Sequence, residues 1–389
     1  MKVVAAELRE LALPLKQPFV IAYNTWRNMP TLVLSLFTDE GLVGYGESVP
    51  DEGVTGETIS STLAMLRDTL LPLVLGRSAF DLEAFHRAAE ERVHGAYAAK
   101  AAIDIALHDL KAKACGVPLY KLLGGHCQAV TVPAVISIIP PDEMPGALAP
   151  YQAQGYRQYK LKLGGKPEDD IRRVKVARET LGKKARIKVD ANQGFATADN
   201  ALKIMQAISR YDIELVEQPV KHWDYEGLRR VRERSDISLM VDEGVRTGRD
   251  LWRLLSLTGI DWVNVKLMKC GGLLPAMKLA ALAEIAGVKV QVGSMLESSI
   301  ASAAGAHLHR ALPAIYASEM VGPHHFAADI GDFSYRHDEV FFSERAGLGI
   351  EVDRERLASL MLRGIRISEH GENSALTSSG VLGPSCGEQ

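Results

Sequence analysis

The chain is expected to fold as a parallel α/β barrel joined to a smaller α+β domain. Three observations predict this. From about residue 126 onward, eight short apolar, β-branched runs alternate with amphipathic helical patterns, at 129–138, 157–163, 186–190, 213–217, 237–242, 261–267, 288–294 and 314–320. Charged residues close these runs at a near-constant interval: Lys162, Asp190, Glu217, Asp242 and Lys266 follow one another at steps of 28, 27, 25 and 24 residues, the rhythm of successive βα units. No glycine-rich dinucleotide loop follows an early strand, and Leu163-Gly164-Gly165 is not GxGxxG, which argues against an open nucleotide-binding sheet.

Taken in order, residues 2–13 read as a strand, and 31–37 with 42–45 as a hairpin about Asp39-Glu40-Gly41. Helical patterns follow at 57–75, 81–94 and 96–114. The last places Ile103, Leu107 and Leu110 on one face and stops at Gly116 with Pro118 beyond it. A boundary falls near 122–126. Within the barrel, helices are expected at 168–182, 199–210, 249–258 and 275–286, where apolar residues recur every three or four positions. Pro275 near the start and Gly287 past the end match the usual asymmetry of helix termini. After about 325 the rhythm fades, and the chain looks like a return to the first domain. The Ser/Gly-rich tail from Ser374 is expected to be mobile.

At 389 residues the chain is too long for one core, and its 47% apolar and 24% charged content is ordinary for a globular protein. The net charge of −3 and pI near 6.4 exclude a chain-wide basic field for nucleic acid or an anionic membrane, leaving small molecules as the expected partners. The four cysteines show neither CxxC spacing nor the density of a disulfide framework. With no apolar block at the amino terminus and no run of membrane-spanning length, the reading is a cytoplasmic protein.

Asp190, Glu217 and Asp242 each end a strand-like run in three consecutive βα units. An acidic residue at one strand end is ordinarily a helix cap. Three in register, each with a polar neighbour (Asn192, Gln218, Glu243), instead point to all-oxygen ligation of a hard divalent ion, Mg²⁺ first and Mn²⁺ as the alternative. Asp242 matches the register better than Glu243, which is expected to support the ligands from behind.

Lys160 and Lys162 are two apart, so their side chains share a face of the strand. A second ammonium and a metal nearby should lower a lysine pKa towards neutrality and make a general base. Lys266, four strands farther round, would approach from the opposite side. A metal that grips a carboxylate acidifies the adjacent C–H. Bases on both faces could then take the proton from one side and return it from the other.

These residues resemble the enolase superfamily, and within it the muconate lactonizing enzyme subgroup. The resemblance implies a capping domain over 1–125, a modified (β/α)₇β barrel over 126–325, and a carboxy-terminal return to the cap with a polar tail over 326–389. By similarity Lys160, Lys162 and Lys266 are the catalytic lysines and Asp190, Glu217 and Asp242 the metal ligands; an even-numbered homo-oligomer, an octamer at the upper end, is also implied. Thr55-Gly56-Glu57-Thr58, Lys266–Gly272 and Gly293–Ser299 look like dipeptide epimerases. Those enzymes usually carry Asp-x-Asp after the eighth strand, where this chain has Glu319-Met320-Val321, closer to muconate cycloisomerases. Specificity is expected in the loop around Tyr23 and Trp26, in Glu297 and Glu319, and in the pair His324-His325.

The leading expectation is an isomerase that removes the proton next to a carboxylate through an enolate, as an epimerase or racemase of an N-acyl amino acid or dipeptide-like substrate. Cycloisomerisation of a muconate-like diacid to a lactone is the nearest alternative. A Schiff-base aldolase with Lys162 or Lys266 as the amine, and a non-catalytic metabolite-binding barrel, are the alternatives from other classes.

Overall fold

The computed structural model describes residues 1–370 and 373–377, and in it the eight expected strands form a single parallel sheet curled into a barrel. Three antiparallel strands precede it: β1 (Val3–Val20), β2 (Thr25–Thr38) and β3 (Val43–Ser48). The barrel strands then follow in sequence order: β4 (Ala134–Ile136), β5 (Gln158–Lys162), β6 (Arg186–Asp190), β7 (Ile213–Glu217), β8 (Ser238–Val241), β9 (Trp262–Val265), β10 (Lys289–Val292) and β11 (Ile315–Ser318). Consecutive parallel strands joined by helices leave both faces covered, which is why these runs are apolar on both parities. At the seam between β4 and β11, the Gln128 side-chain amide donates to the carbonyls of Leu312 (2.9 Å) and Ile315 (3.1 Å).

The chain returns late to the first sheet. The strand β12 (Met361–Ser368) pairs antiparallel with β1, and Asn373–Ala375 pairs with β12. The start of the tail expected to be mobile is therefore an edge strand, and the rest of it, beyond Thr377, lies outside the described residues. No helix among the described residues is long and apolar enough to cross a membrane, and Cys115, Cys127 and Cys270 are free thiols.

Two differences from the sequence reading bear on function. The first strand does not stop near residue 13: β1 runs on to Val20, and its far end reaches the barrel, where Ala327 donates to the Pro14 carbonyl (2.8 Å) and Ile138 to the Val20 carbonyl (3.0 Å). The segment read as a loop around Tyr23 is a tight hairpin turn, with Val20 paired to Thr25 and Phe19 to Trp26. Cap side chains are thereby delivered over the barrel mouth on strands rather than on a floppy loop.

The helix α1 (Tyr97–Ala114) locks the cap sheet to the barrel. It is rich in alanine and packs on β3 so closely that a Cβ at Gly46 would lie 1.9 Å from the Ala102 carbonyl oxygen. Only glycine permits that approach. On its other side, buried Asp104 of α1 accepts from the Leu273 main-chain N–H (2.5 Å) at the start of α2 (Leu273–Ile285), a barrel helix.

Candidate active site

Strand register gathers the charged residues at one end of the barrel. Lys162 stands opposite Asp190, and Asp190 opposite Glu217, while Asp242 directly follows the last residue of β8. Carboxylate oxygens of Asp190, Glu217 and Asp242 lie within 4.8 Å of one another, all buried at the carboxyl ends of their strands. Asn192 and Gln218 hold left-handed backbone angles (φ 41° and 37°) just past β6 and β7, turning the chain sharply at the site.

Four lysines pair with these acids, and a fifth, Lys188, with the neighbouring Glu319. Lys160 Nζ lies 2.9 Å from Asp190, 2.8 Å from Glu217 and 2.8 Å from Glu319. Lys162 Nζ is 2.7 Å from Asp190 Oδ2 and donates to Asn192 Oδ1 at 3.0 Å; the Asn192 amide in turn donates to Glu243 Oε1 at 3.3 Å. Lys266 Nζ is 2.7 Å from Asp242 Oδ2. Lys188, level with Lys160 on the next strand, is 2.8 Å from the other oxygen of Glu319 and also bonds Gln291. Lys269 lies 2.6 Å from Asp242 Oδ1, and Asn264 donates to Glu217 Oε1 at 2.8 Å. In sheet order, Lys162 and Lys266 stand on the two sides of the three carboxylate strands.

In the protein alone, burial and the neighbouring acids pull the buried lysines in opposite directions. Burial pulls the Lys160 ammonium down, but Asp190, Glu217 and Glu319 outweigh it and hold it well above the usual lysine value. Burial likewise opposes, and Asp242 and Glu243 reverse, the shift on Lys266, which is also raised. Among the acids, burial pushes Glu217 up to about 8, reinforced by the Asp190 charge, and Glu243 up to about 7, reinforced by Asp242. Burial acts against ionisation of Asp190 and Asp242 too, but the paired lysines keep both below the ordinary carboxylate range.

The donor set fits a hard divalent cation. Glu217 Oε2 and both Asp242 carboxylate oxygens accept no well-directed hydrogen bond, although lysine nitrogens lie 2.6 to 2.8 Å away. Three converging carboxylate oxygens so poorly satisfied in a dry site are ligands in search of concentrated charge.

A cavity, open at its mouth, lies between this end of the barrel and the cap, and Lys162, Asn192, Lys266 and Glu319 line it together with Tyr23 and Trp26. The structure thus brings these sequence-selected residues to one space. Glu319 is held between Lys160 and Lys188 rather than free. Glu297 does not line the cavity; it is buried, and its carboxylate takes the Ser294 hydroxyl. The histidines do not line it either: His324 stacks on Tyr335 (3.7 Å between ring centres) and bonds the Tyr156 hydroxyl (3.1 Å), while His325 packs edge-on against Phe19. Lys188, Asn264, Lys269 and Gln291 were not singled out as site residues from the sequence. A signal existed, since Lys188 is two before Asp190 and Asn264 two before Lys266, and that parity puts each pair on one face.

Comparison with known proteins follows the same lines. Residues 4–124 match the model of the mandelate racemase / muconate lactonizing enzyme N-terminal domain, and residues 145–356 that of the enolase C-terminal domain-like family. The chain belongs to the mandelate racemase / muconate lactonizing enzyme family of the enolase superfamily. Within the family it is 39% identical over 361 residues to the N-succinyl-L-Arg/Lys racemase of Bacillus cereus, covering 92% of this chain and 98% of that one. The crystal structure of that racemase superposes with a TM-score of 0.93 at 38% identity, over 94% of this chain and all of the other. The L-Ala-D/L-Glu epimerase of Bacillus subtilis is 33% identical, covering 90% of this chain and 97% of its own; its substrate-liganded structure superposes with a TM-score of 0.87. A chloromuconate cycloisomerase of Delftia acidovorans is 30% identical over 92% of this chain and 98% of its own. This family member is an isomerase of the epimerase/racemase kind.

Proposed function

We propose that the protein is a Mg²⁺-dependent epimerase or racemase that removes and returns the proton on the carbon beside the carboxylate of an N-acyl amino acid or dipeptide-like substrate. The observation that carries this reading is the order lysine, three carboxylates, lysine across five consecutive strands, with the two flanking lysines opening on one cavity. Asp190, Glu217 and Asp242 would hold the ion. A divalent cation held there would acidify the C–H next to a carboxylate bound to it. Lys162 Nζ, oriented by Asn192, exchanges the proton on one face; Lys266 Nζ exchanges it on the other. Lys160, buried among Asp190, Glu217 and Glu319, keeps its proton and contributes positive charge where the substrate carboxylate develops negative charge.

An N-acyl amino acid is favoured over a free dipeptide. Val321, rather than a second acid, faces the cavity after Glu319, so a substrate ammonium group finds no carboxylate there. The similarity to an N-succinyl amino acid racemase supports the same choice. The reading keeps the division at 125/126 and 325/326. It also places the protein in the cytoplasm, consistent with the free thiols, as an even-numbered homo-oligomer up to an octamer, for which exposed Trp223, Trp252 and Ile285 offer apolar surface.

Incubation of N-succinyl amino acids and dipeptides with Mg²⁺ in D₂O tests the assignment. Deuterium should appear at an inverting stereocentre and vanish with EDTA. Lys162→Ala and Lys266→Ala should each cut racemisation by about 10³-fold or more. Full activity in both variants would end the two-base scheme; lactone formation from a muconate-type diacid would move the assignment to cycloisomerisation, and a borohydride-trapped adduct to an aldolase.

A further inference from the structure

The three acids share a pattern that their convergence alone does not require. In each carboxylate one oxygen faces Lys160, Lys162 or Lys266, and the other is occupied by a different donor. Asp190 Oδ2 lies beside Lys160 and Lys162 (2.9 and 2.7 Å), Glu217 Oε2 beside Lys160 (2.8 Å) and Asp242 Oδ2 beside Lys266 (2.7 Å). Asp190 Oδ1 instead accepts from the Asn192 main-chain N–H (2.9 Å), and Glu217 Oε1 accepts from the Asn264 side-chain amide (2.8 Å). Asp242 Oδ1 meets the enclosed Lys269 ammonium at 2.6 Å. Each acid therefore keeps a single oxygen to offer an ion.

The place of Asn264 in this pattern is built for it. The residue is fully buried on β9 and does not line the cavity, so it reaches no substrate. Its amide packs so tightly on Gly293 that a Cβ there would lie 2.1 Å from Asn264 Oδ1. Only glycine leaves room for it. A carboxylate oxygen can only accept, which makes the NH₂ half of the amide the one that faces Glu217. The other half, Oδ1, finds no donor among the described residues, so the side chain serves Glu217 alone.

Holding one oxygen matters because ions differ in what they ask of a carboxylate. Ca²⁺ accommodates about six to eight oxygens and readily takes both from one carboxylate, whereas Mg²⁺ is smaller, holds about six in a strict octahedron and gives up water reluctantly. Three carboxylates free to turn would suit Ca²⁺. Three restricted to one oxygen each suit Mg²⁺.

We infer that Asn264 is a positioning residue that sets ion selectivity: by holding Glu217 Oε1 it restricts this acid to one donor oxygen and turns the centre against Ca²⁺. The inference rests on the proposed assignment of the ion to Asp190, Glu217 and Asp242, and adds to it a residue that touches neither ion nor substrate.

Displacement of Mn²⁺, followed by the electron paramagnetic resonance of the free ion, reads Mg²⁺ and Ca²⁺ affinities without substrate or turnover. Wild-type protein should hold Mg²⁺ more tightly than Ca²⁺ by roughly tenfold or more, and Asn264→Leu, of similar volume but without a donor, should shrink that ratio by roughly tenfold. Asn264→Ala gives the same readout should the leucine variant not fold. Equal affinities in the wild type, or a preference for Ca²⁺, would overturn the inference before any variant is made. So would a folded variant that loses both ions in equal proportion, since a merely structural role moves both together. Wild-type protein that takes up none of the three ions would overturn the metal centre itself, and the inference with it.

Discussion

Lys266 and Lys269 lie three residues apart and hold opposite oxygens of the same carboxylate, yet their surroundings give them different work. The Lys269 ammonium is enclosed: it meets Asp242 Oδ1 at 2.6 Å and donates to the carbonyls of Val245 (3.1 Å), Asn264 (2.9 Å) and Asp242. Three N–H bonds have four oxygens to serve, so no hydrogen or lone pair is left for a substrate. Lys266 has Asp242 Oδ2 and only the soft Met295 sulfur at 3.8 Å besides, and it opens on the cavity. Lys269 is therefore a positioning residue and Lys266 the lysine that reaches the substrate. Replacing Lys269 by Met would remove the ammonium beside a buried carboxylate and the side-chain donor to three carbonyls, a loss of about 3 kcal/mol by the usual cost of breaking a buried pair. Lys266→Met should cost clearly less, because Asp242 keeps Lys269. Urea denaturation in EDTA measures both, and equal losses would remove the distinction.

The helix that follows β10, Ser299–Ala311, shows how one side chain makes an element's docking depend on pH. His307 is buried with both ring nitrogens occupied: Nδ1 accepts from the Tyr120 main-chain N–H (3.1 Å) and Nε2 donates to the Leu348 carbonyl (2.9 Å). A second ring proton would face the Tyr120 N–H donor. Burial holds this imidazole down to about 4 from an ordinary value of 6.5, so the unfolded chain takes up the proton first. Its stabilisation is present in full above pH 6.5, declines between 6.5 and 4, and is gone below 4, a change on the order of 3 kcal/mol. His309, His324 and His325 are shifted the same way by burial, so the useful quantity is the difference between wild type and His307→Gln, whose stability should fall less steeply over that window. The same element scale shows what was legible from sequence. The runs 186–190 and 213–217 match β6 and β7 to the residue, because apolar stretches end abruptly on a carboxylate. The run 129–138 shrinks to Ala134–Ile136, since Val130 and Val132 bond to Val340 and Asp338, partners that no periodicity reveals. The helix expected at 57–75 breaks after Met65 into a wider turn and then a tighter one at Pro72, which lacks an N–H and crowds the preceding turn. Asp190, Glu217, Asp242 and the lysines could be found by interval and parity. Asp51, which also lines the cavity, could not, because only the packing of cap on barrel puts its turn there.

At the scale of the whole molecule, the active site exists only while cap and barrel hold their relative position, and buried carboxylates from the cap fix it. Glu47, on β3, accepts from the Ser298 N–H and hydroxyl (both 2.8 Å) and from the Ala301 N–H (2.9 Å), at the amino-terminal end of the barrel helix Ser299–Ala311. Asp104 of α1 does the same for α2. Helix N-termini carry unpaired N–H groups and partial positive charge, so each carboxylate satisfies donors that the barrel cannot satisfy itself. Glu47 also ties together two stretches of chain that lead to the cavity. Four residues along from it, Asp51 lines the cap side of the cavity; two residues before Ser298, the stretch Ser294–Leu296 ends on the barrel side. Glu47→Ala would strand three buried donors and should lower stability by about 3 kcal/mol. If this carboxylate also sets the distance between the walls, the variant's KM should rise severalfold more than its kcat falls, since the lysines and the three acids stand on strands that Glu47 does not touch. A variant that is less stable but has an unchanged KM would show that Glu47 only anchors the helix, and that the cap finds its place over the barrel without it.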